Sequence, residues 1–407
     1  MSKKLYTLIA VLMLASMILA ACGPGAATQA PTAAPVTTEA PTAMPTEAPT
    51  EMATEAPTVA ATEAPTAVMT EVPTEAPTSG AALVTPYPQD QVGNFLACQV
   101  TDTGGIDDKS FNATAWKGVQ DAMDQLGIQG QYLESQQQTD YEKNIQAFLD
   151  QNCNIIITVG FLLGDATQAA AQANPTVPFS IVDFAYDPVI PNVVGQVFNT
   201  QEAAFLAGYV AAGTTQSGTV GTFGGLQIPT VTVFMDGFVL GVRYYNEQNS
   251  ANVQVLGWDP EAQTGLFVGN FESTDDGRRM GESLMDEGAD IIMPVAGPVG
   301  LGTAAAAQQR GNVYIIGVDT DWTVTSPEYT DIVLTSVVKK MDVTTLDVIK
   351  EVLDGTFAGG VVVGTLENGG VDIAPFHNLD SMVPDQVKSD LDTIRQGIIS
   401  GDIQSSP

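Results

Sequence analysis

Basic residues are scarce. Only 14 Lys and Arg stand against 47 Asp and Glu in 407 residues, for a formal net charge of −33. Nucleic-acid binding and electrostatic adhesion to a membrane surface both need clustered Lys and Arg, so both are excluded. Histidine occurs once, as His377 near the C-terminal end. No Ser-His-Asp or Cys-His arrangement can be assembled, and no His, Cys and carboxylate cluster shows metal-ligand spacing. Neither catalysis nor a cofactor is expected. Cysteine occurs three times. Cys98 and Cys153 lie in apolar surroundings on or beside strand-like runs, and two packed thiols are expected there rather than a bonded pair. Glycine is plentiful, yet no Gly-x-x-x-x-Gly-Lys-Ser/Thr loop is present and no Gly-x-Gly-x-x-Gly follows the first strand, which excludes the common phosphate cradles.

The N-terminal apolar run, Leu8 to Leu19, is shorter than the roughly 20 residues a bilayer crossing needs. Preceded by Lys3 and Lys4, it reads as the core of an export signal over residues 1–22. Its ending, Leu19-Ala20-Ala21-Cys22, resembles a bacterial lipobox, in which the cysteine is acylated and becomes the new N-terminus. Acyl chains on Cys22 would hold a soluble domain to the extracytoplasmic face of the cell membrane. Residues 23–92 repeat Glu-Ala-Pro-Thr with almost no aromatic residues, cannot bury a core, and read as a proline-stiffened tether.

From Gly93 short apolar runs alternate with amphipathic helical segments. Phe95–Val100, Ile155–Val159, Phe179–Val182 and Val193–Phe198 read as strands, with helices over Asn112–Leu126 and Gly164–Ala173. After a helix over Gln201–Ala212 the pattern restarts, with strands at Val220–Phe223, Leu266–Val268, Ile291–Val295 and Val313–Val318. Strands apolar throughout, alternating with helices, imply parallel sheets covered on both faces. The expectation is an α/β protein of two doubly wound lobes joined by a hinge. Residues 93–200 plus about 325–355 are assigned to the first lobe, and 201–324 plus about 356–407 to the second.

In open parallel sheets ligands bind beyond the carboxyl ends of the strands, so polar residues there matter most. Five strand ends qualify: Asp102–Asn112, Gly160-Phe161, Asp183, Ala296–Gly302 and Gly317–Asp321. Their carboxylates suit paired hydroxyls, as on a sugar, and equally suit helix caps and turns. Phe111 and Phe271 fit either a core or a ligand platform.

Six segments in order carry a family resemblance: Asp107–Asn112, Phe234–Phe238, Gly288–Asp290, Val295–Gly297, Gly317–Asp321 and Thr335–Lys339. Together they resemble the basic membrane protein family of bacterial lipoproteins, whose best understood members resemble a purine nucleoside receptor. The resemblance implies a type I periplasmic-binding-protein fold, a monomer, and a nucleoside delivered to an ABC permease. It implies that Phe111 and Phe271 sandwich the base, that Asp102 and Asn112 contact the ligand, and that Asp183 reads the base edge. It further implies that Gly297 allows close backbone approach, and that Asp319 and Lys339 bind the sugar, with Lys340 a rival for the last place. Trp322 stands where the family usually has Gln, and is expected to reshape the cleft wall. The alternative ligand is a simple sugar such as ribose.

Overall fold

The computed structural model describes residues 84–407. The export segment, Cys22 and residues 23–83 lie outside the described residues.

The first eight elements are β1 (Leu96–Thr101), α1 (Phe111–Leu126), β2 (Gln129–Leu133), α2 (Tyr141–Asp150), β3 (Ile155–Val159), α3 (Gly164–Ala173), β4 (Phe179–Val182) and β5 (Val193–Phe198). There follow α4 (Thr200–Thr214), β6 (Thr219–Gly224), α5 (Pro229–Asn249) and β7 (Gln254–Leu256). A small hairpin, β8 (Trp258–Asp259) and β9 (Thr264–Gly265), precedes α6 (Thr274–Asp286), β10 (Ile291–Val295), α7 (Val299–Arg310) and β11 (Tyr314–Asp319). The chain ends with α8 (Trp322–Thr325), β12 (Val333–Lys339), α9 (Met341–Asp354), β13 (Gly360–Gly364), β14 (Val371–Ile373) and α10 (Asp385–Ser400).

Two six-stranded sheets result, in the orders β13-β5-β4-β3-β1-β2 and β14-β12-β11-β10-β6-β7. Every pairing within them is parallel except β12 with β14. Central strands β3 and β10 are buried at every residue, as strands covered on both faces by helices must be.

The lobe boundaries differ from the sequence expectation. β12 was assigned to the first lobe but pairs with β11 in the second sheet, and β13 was assigned to the second but pairs with β5 in the first. An apolar run reports that a strand is buried, not which sheet buries it. The chain therefore crosses between lobes at Asn199, near Lys340 and between Gly364 and Val371. Adjacent crossings are bonded, Asn199 N–H to the Gly364 carbonyl at 2.8 Å and Lys340 N–H to that of Gly370 at 2.9 Å.

Two further expectations are corrected. Residues 84–92 do not belong to the tether: Val84, Tyr87 and Val92 pack on the core, and Tyr87 N–H donates to the Leu353 carbonyl at 2.8 Å. Cys98 and Cys153 are bonded to each other, not free. β1 pairs with β3 so that Ala97 faces Ile155, which brings Cys98 beside the residue preceding β3, with Cα atoms 6.1 Å apart.

Candidate functional site

The carboxyl ends of both sheets face one cleft of about 610 Å³, its open mouth included. All eight residues singled out for ligand contact line it. Asp102, Phe111, Asn112 and Asp183 come from the first lobe; Phe271, Gly297, Asp319 and Lys339 come from the second. Lys340 is exposed and does not line the cleft.

The first wall is built by the loop after β1. Asp108 accepts from the backbone N–H groups of Ser110 at 3.0 Å, Asn112 at 2.7 Å and Ala113 at 3.0 Å. These are the donors that the first turn of a helix leaves without partners, so Asp108 caps α1 and fixes where Phe111 and Asn112 emerge. Asp102 accepts from Gly104 N–H at 3.0 Å and from the Asn112 amide at 2.7 Å. Asn112 is buried, and its Oδ1 has no hydrogen-bond partner among the described residues. Burial pushes the Asp102 carboxyl up to about 6, against the pull of these donors, and that of Asp108 up to about 7.

The floor is made by two aspartates in matching positions. Asp183 follows β4 and Asp319 ends β11, and both adopt left-handed backbone, with φ of 64° and 69°. Each is held from the opposite lobe. Lys339 Nζ, at the end of β12, lies 2.7 Å from Asp183 Oδ2. Ser110, from the first lobe, donates its hydroxyl to Asp319 Oδ2 at 2.9 Å. Lys339 Nζ also lies 3.6 Å from Asp319 Oδ1 and 4.7 Å from the centre of the Phe111 ring. With Lys339 only 2% exposed, this is a buried network of two carboxylates and one ammonium. Burial raises the Asp183 carboxyl, and the Lys339 ammonium opposes that shift.

Phe271 lies in the loop before α6. Its ring occupies space that Gly225 leaves open, since a Cβ there would collide with it. Both Phe111 and Phe271 are half-buried, packing partly on the core while facing the cleft. Gly297, with a φ of 55°, leads into the N-terminus of α7.

Trp322 departs from expectation. It is 1% exposed and lies behind the cleft, so it does not form the wall. Sequence reasoning missed Ile228, Thr230 and Phe234, which line the cleft from the start of α5 and the turn before it. The end of β6 was a sixth strand end that the same rule would have found. Among the described residues no group of His, Cys, Asp and Glu is arranged to hold a metal ion.

The profile of a family described as "ABC transporter substrate-binding protein PnrA-like" matches residues 95–406. The chain is 30% identical over 312 residues to the "ABC transporter nucleoside-binding protein BmpA" of Lactococcus lactis subsp. cremoris, covering 72% of this chain and 85% of that one. It is 31% identical over 329 residues to the "CD4+ T-cell-stimulating antigen" of Listeria monocytogenes, covering 76% and 88%. An "Uncharacterized lipoprotein" of Pyrococcus horikoshii is 30% identical over 278 residues, covering 66% of each chain. Among solved structures, an ABC transporter solute-binding protein from Aeropyrum pernix K1 superposes with a TM-score of 0.69 at 24% identity, covering 76% of this chain and 92% of that one. The fold is that of the type I periplasmic binding proteins, with its cleft between the lobes.

Proposed function

We propose, for a chain that belongs to the Bmp family of PnrA-like ABC transporter substrate-binding proteins, that its cleft captures a purine nucleoside and delivers it to an ABC permease. One observation carries this reading. Two half-buried phenylalanines and a buried carboxylate–lysine network, contributed by both lobes, share a single cleft. The rings of Phe111 and Phe271 suit a flat base. Asp102, Asn112 and Asp183 suit its polar edge, and the unpartnered Oδ1 of Asn112 supplies a free acceptor. Asp319 and Lys339 suit the ribose hydroxyls, with backbone approach at Gly297.

A ligand touching both lobes stabilises their closed arrangement, and a permease that binds only that arrangement senses loading. In this reading the protein works as a monomer and performs no chemistry on its ligand. The lipobox ending at Cys22 anchors it to the outer face of the cell membrane. Its relatives' descriptions, one nucleoside-binding and one a lipoprotein, agree with both halves of the reading.

Titration calorimetry with inosine, guanosine and free ribose tests it. Nucleosides are expected to bind and ribose alone to bind far more weakly. Phe271→Ala is expected to weaken nucleoside binding by about 1–3 kcal/mol, roughly five- to 150-fold, with little change in unfolding midpoint. Unchanged affinity in that variant, or ribose binding as tightly as nucleoside, sinks the proposal.

A further inference from the structure

Trp322 touches nothing in the cleft, yet two of its walls rest on this side chain. The indole N–H donates to the Val318 carbonyl at 3.0 Å. That carbonyl belongs to the peptide leading into Asp319, whose φ of 69° is a conformation that costs a non-glycine residue free energy. The same oxygen accepts from Thr320 N–H at 2.8 Å and from the Ser110 hydroxyl at 3.2 Å. Trp322's own backbone N–H donates to Ser336 Oγ at 3.1 Å, on the neighbouring strand β12.

The ring occupies space that only glycine leaves. A Cβ on Gly317 would lie 2.6 Å from the indole Cγ, and one on Gly300 would lie 2.7 Å from its Cη2. Gly317 precedes Asp319 in β11, and Gly300 sits in the first turn of α7, just after Gly297. The indole is thus wedged between the strand end that carries Asp319 and the helix start that carries Gly297.

We infer that Trp322 is a positioning residue for ligand hydroxyls: it holds Asp319 in its left-handed conformation against the Gly297 loop, and so sets the preference for a ligand with vicinal hydroxyls. The inference rests on the proposed reading of Asp319 as the hydroxyl-binding carboxylate. A site built to bond a hydroxyl discriminates strongly against ligands lacking it, provided its own groups are held in place.

Trp322→Phe keeps most of the ring and deletes the N–H. Calorimetry on the full chain would compare inosine with 2′,3′-dideoxyinosine, alongside the unfolding midpoint. The expected result is a loss of about tenfold for inosine and less than about twofold for the dideoxy compound, so that the preference narrows. A parallel loss for both compounds reveals a merely structural role and overturns the inference, as does no loss at all. Should that variant not fold, Ser336→Ala loosens the same tryptophan, and an unchanged preference there also overturns it. Asp319→Asn separates the two layers. If it leaves the preference intact, the reading of Asp319 fails and the inference with it. If it abolishes the preference while Trp322→Phe does not, the inference alone fails.

Discussion

Asp183 and Asp319 hold left-handed backbone that costs about 1–3 kcal/mol at a non-glycine residue. Aspartate tolerates that region better than most residues. Each is compensated by a charged or hydroxyl donor from the opposite lobe, Lys339 for one and Ser110 for the other. Strain at two matching strand ends, both facing one cleft, is where a functional constraint overrides local preference. Asp102 contributes differently. Burial holds its carboxyl at about 6 in the folded protein, against 3.8 as the ordinary value. Between those values the folded protein binds a proton that the unfolded chain does not. Stability from this group is therefore full below the lower value and lost as pH rises through the upper one. Denaturant midpoints at about pH 5 and about pH 7.5 are expected to fall more for the wild type than for Asp102→Asn. Identical falls would show that this carboxyl is not raised by its surroundings.

At the scale of elements, the Cys98–Cys153 bond ties β1 to the start of β3 across 55 residues of chain. Closing a loop of that length in the unfolded state is worth on the order of 4 kcal/mol in the chain-entropy picture. The double variant Cys98→Ala, Cys153→Ala is expected to unfold at clearly lower denaturant. An unchanged midpoint would mean that the bond adds nothing to stability. The pairing was not legible because β1 and β3 are neighbours in space but separated by α1, β2 and α2 in sequence. Buried strands such as Ile155–Val159 and Ile291–Val295 were legible as unbroken apolar runs. The polar edge strands Gln129–Leu133 and Gln254–Leu256 were not, because at a sheet edge no such run is required. Leu266–Val268 reads as a strand yet forms only a single bridge, from Phe267 to Gly224. The strand-end rule located the cleft residues because parallel βα units place those ends on one side of a sheet. Which of the aspartates cap helices was not visible: Asp108 and Asp102 stand in the same loop, and only the folded loop makes Asp108 a cap.

Three crossings between the lobes, bonded to one another through Asn199, Gly364, Lys340 and Gly370, form a narrow hinge beneath the cleft. Glu202 braces it by accepting from the Asn199 amide at 2.8 Å and from Leu366 N–H at 2.7 Å. Such a join restrains the lobes while leaving closure as the principal motion. The excess of acids over bases keeps the surface from attracting nucleic acid, while within the cleft Lys339 partners two of the carboxylates. The central claim is that this gap encloses a flat base together with its sugar. It is tested most directly by purifying the full chain from its producing cells, denaturing it, and identifying the released small molecule by mass spectrometry. A purine nucleoside in near-stoichiometric amount is the predicted result; a free sugar or amino acid in its place, with no nucleoside, would contradict the account.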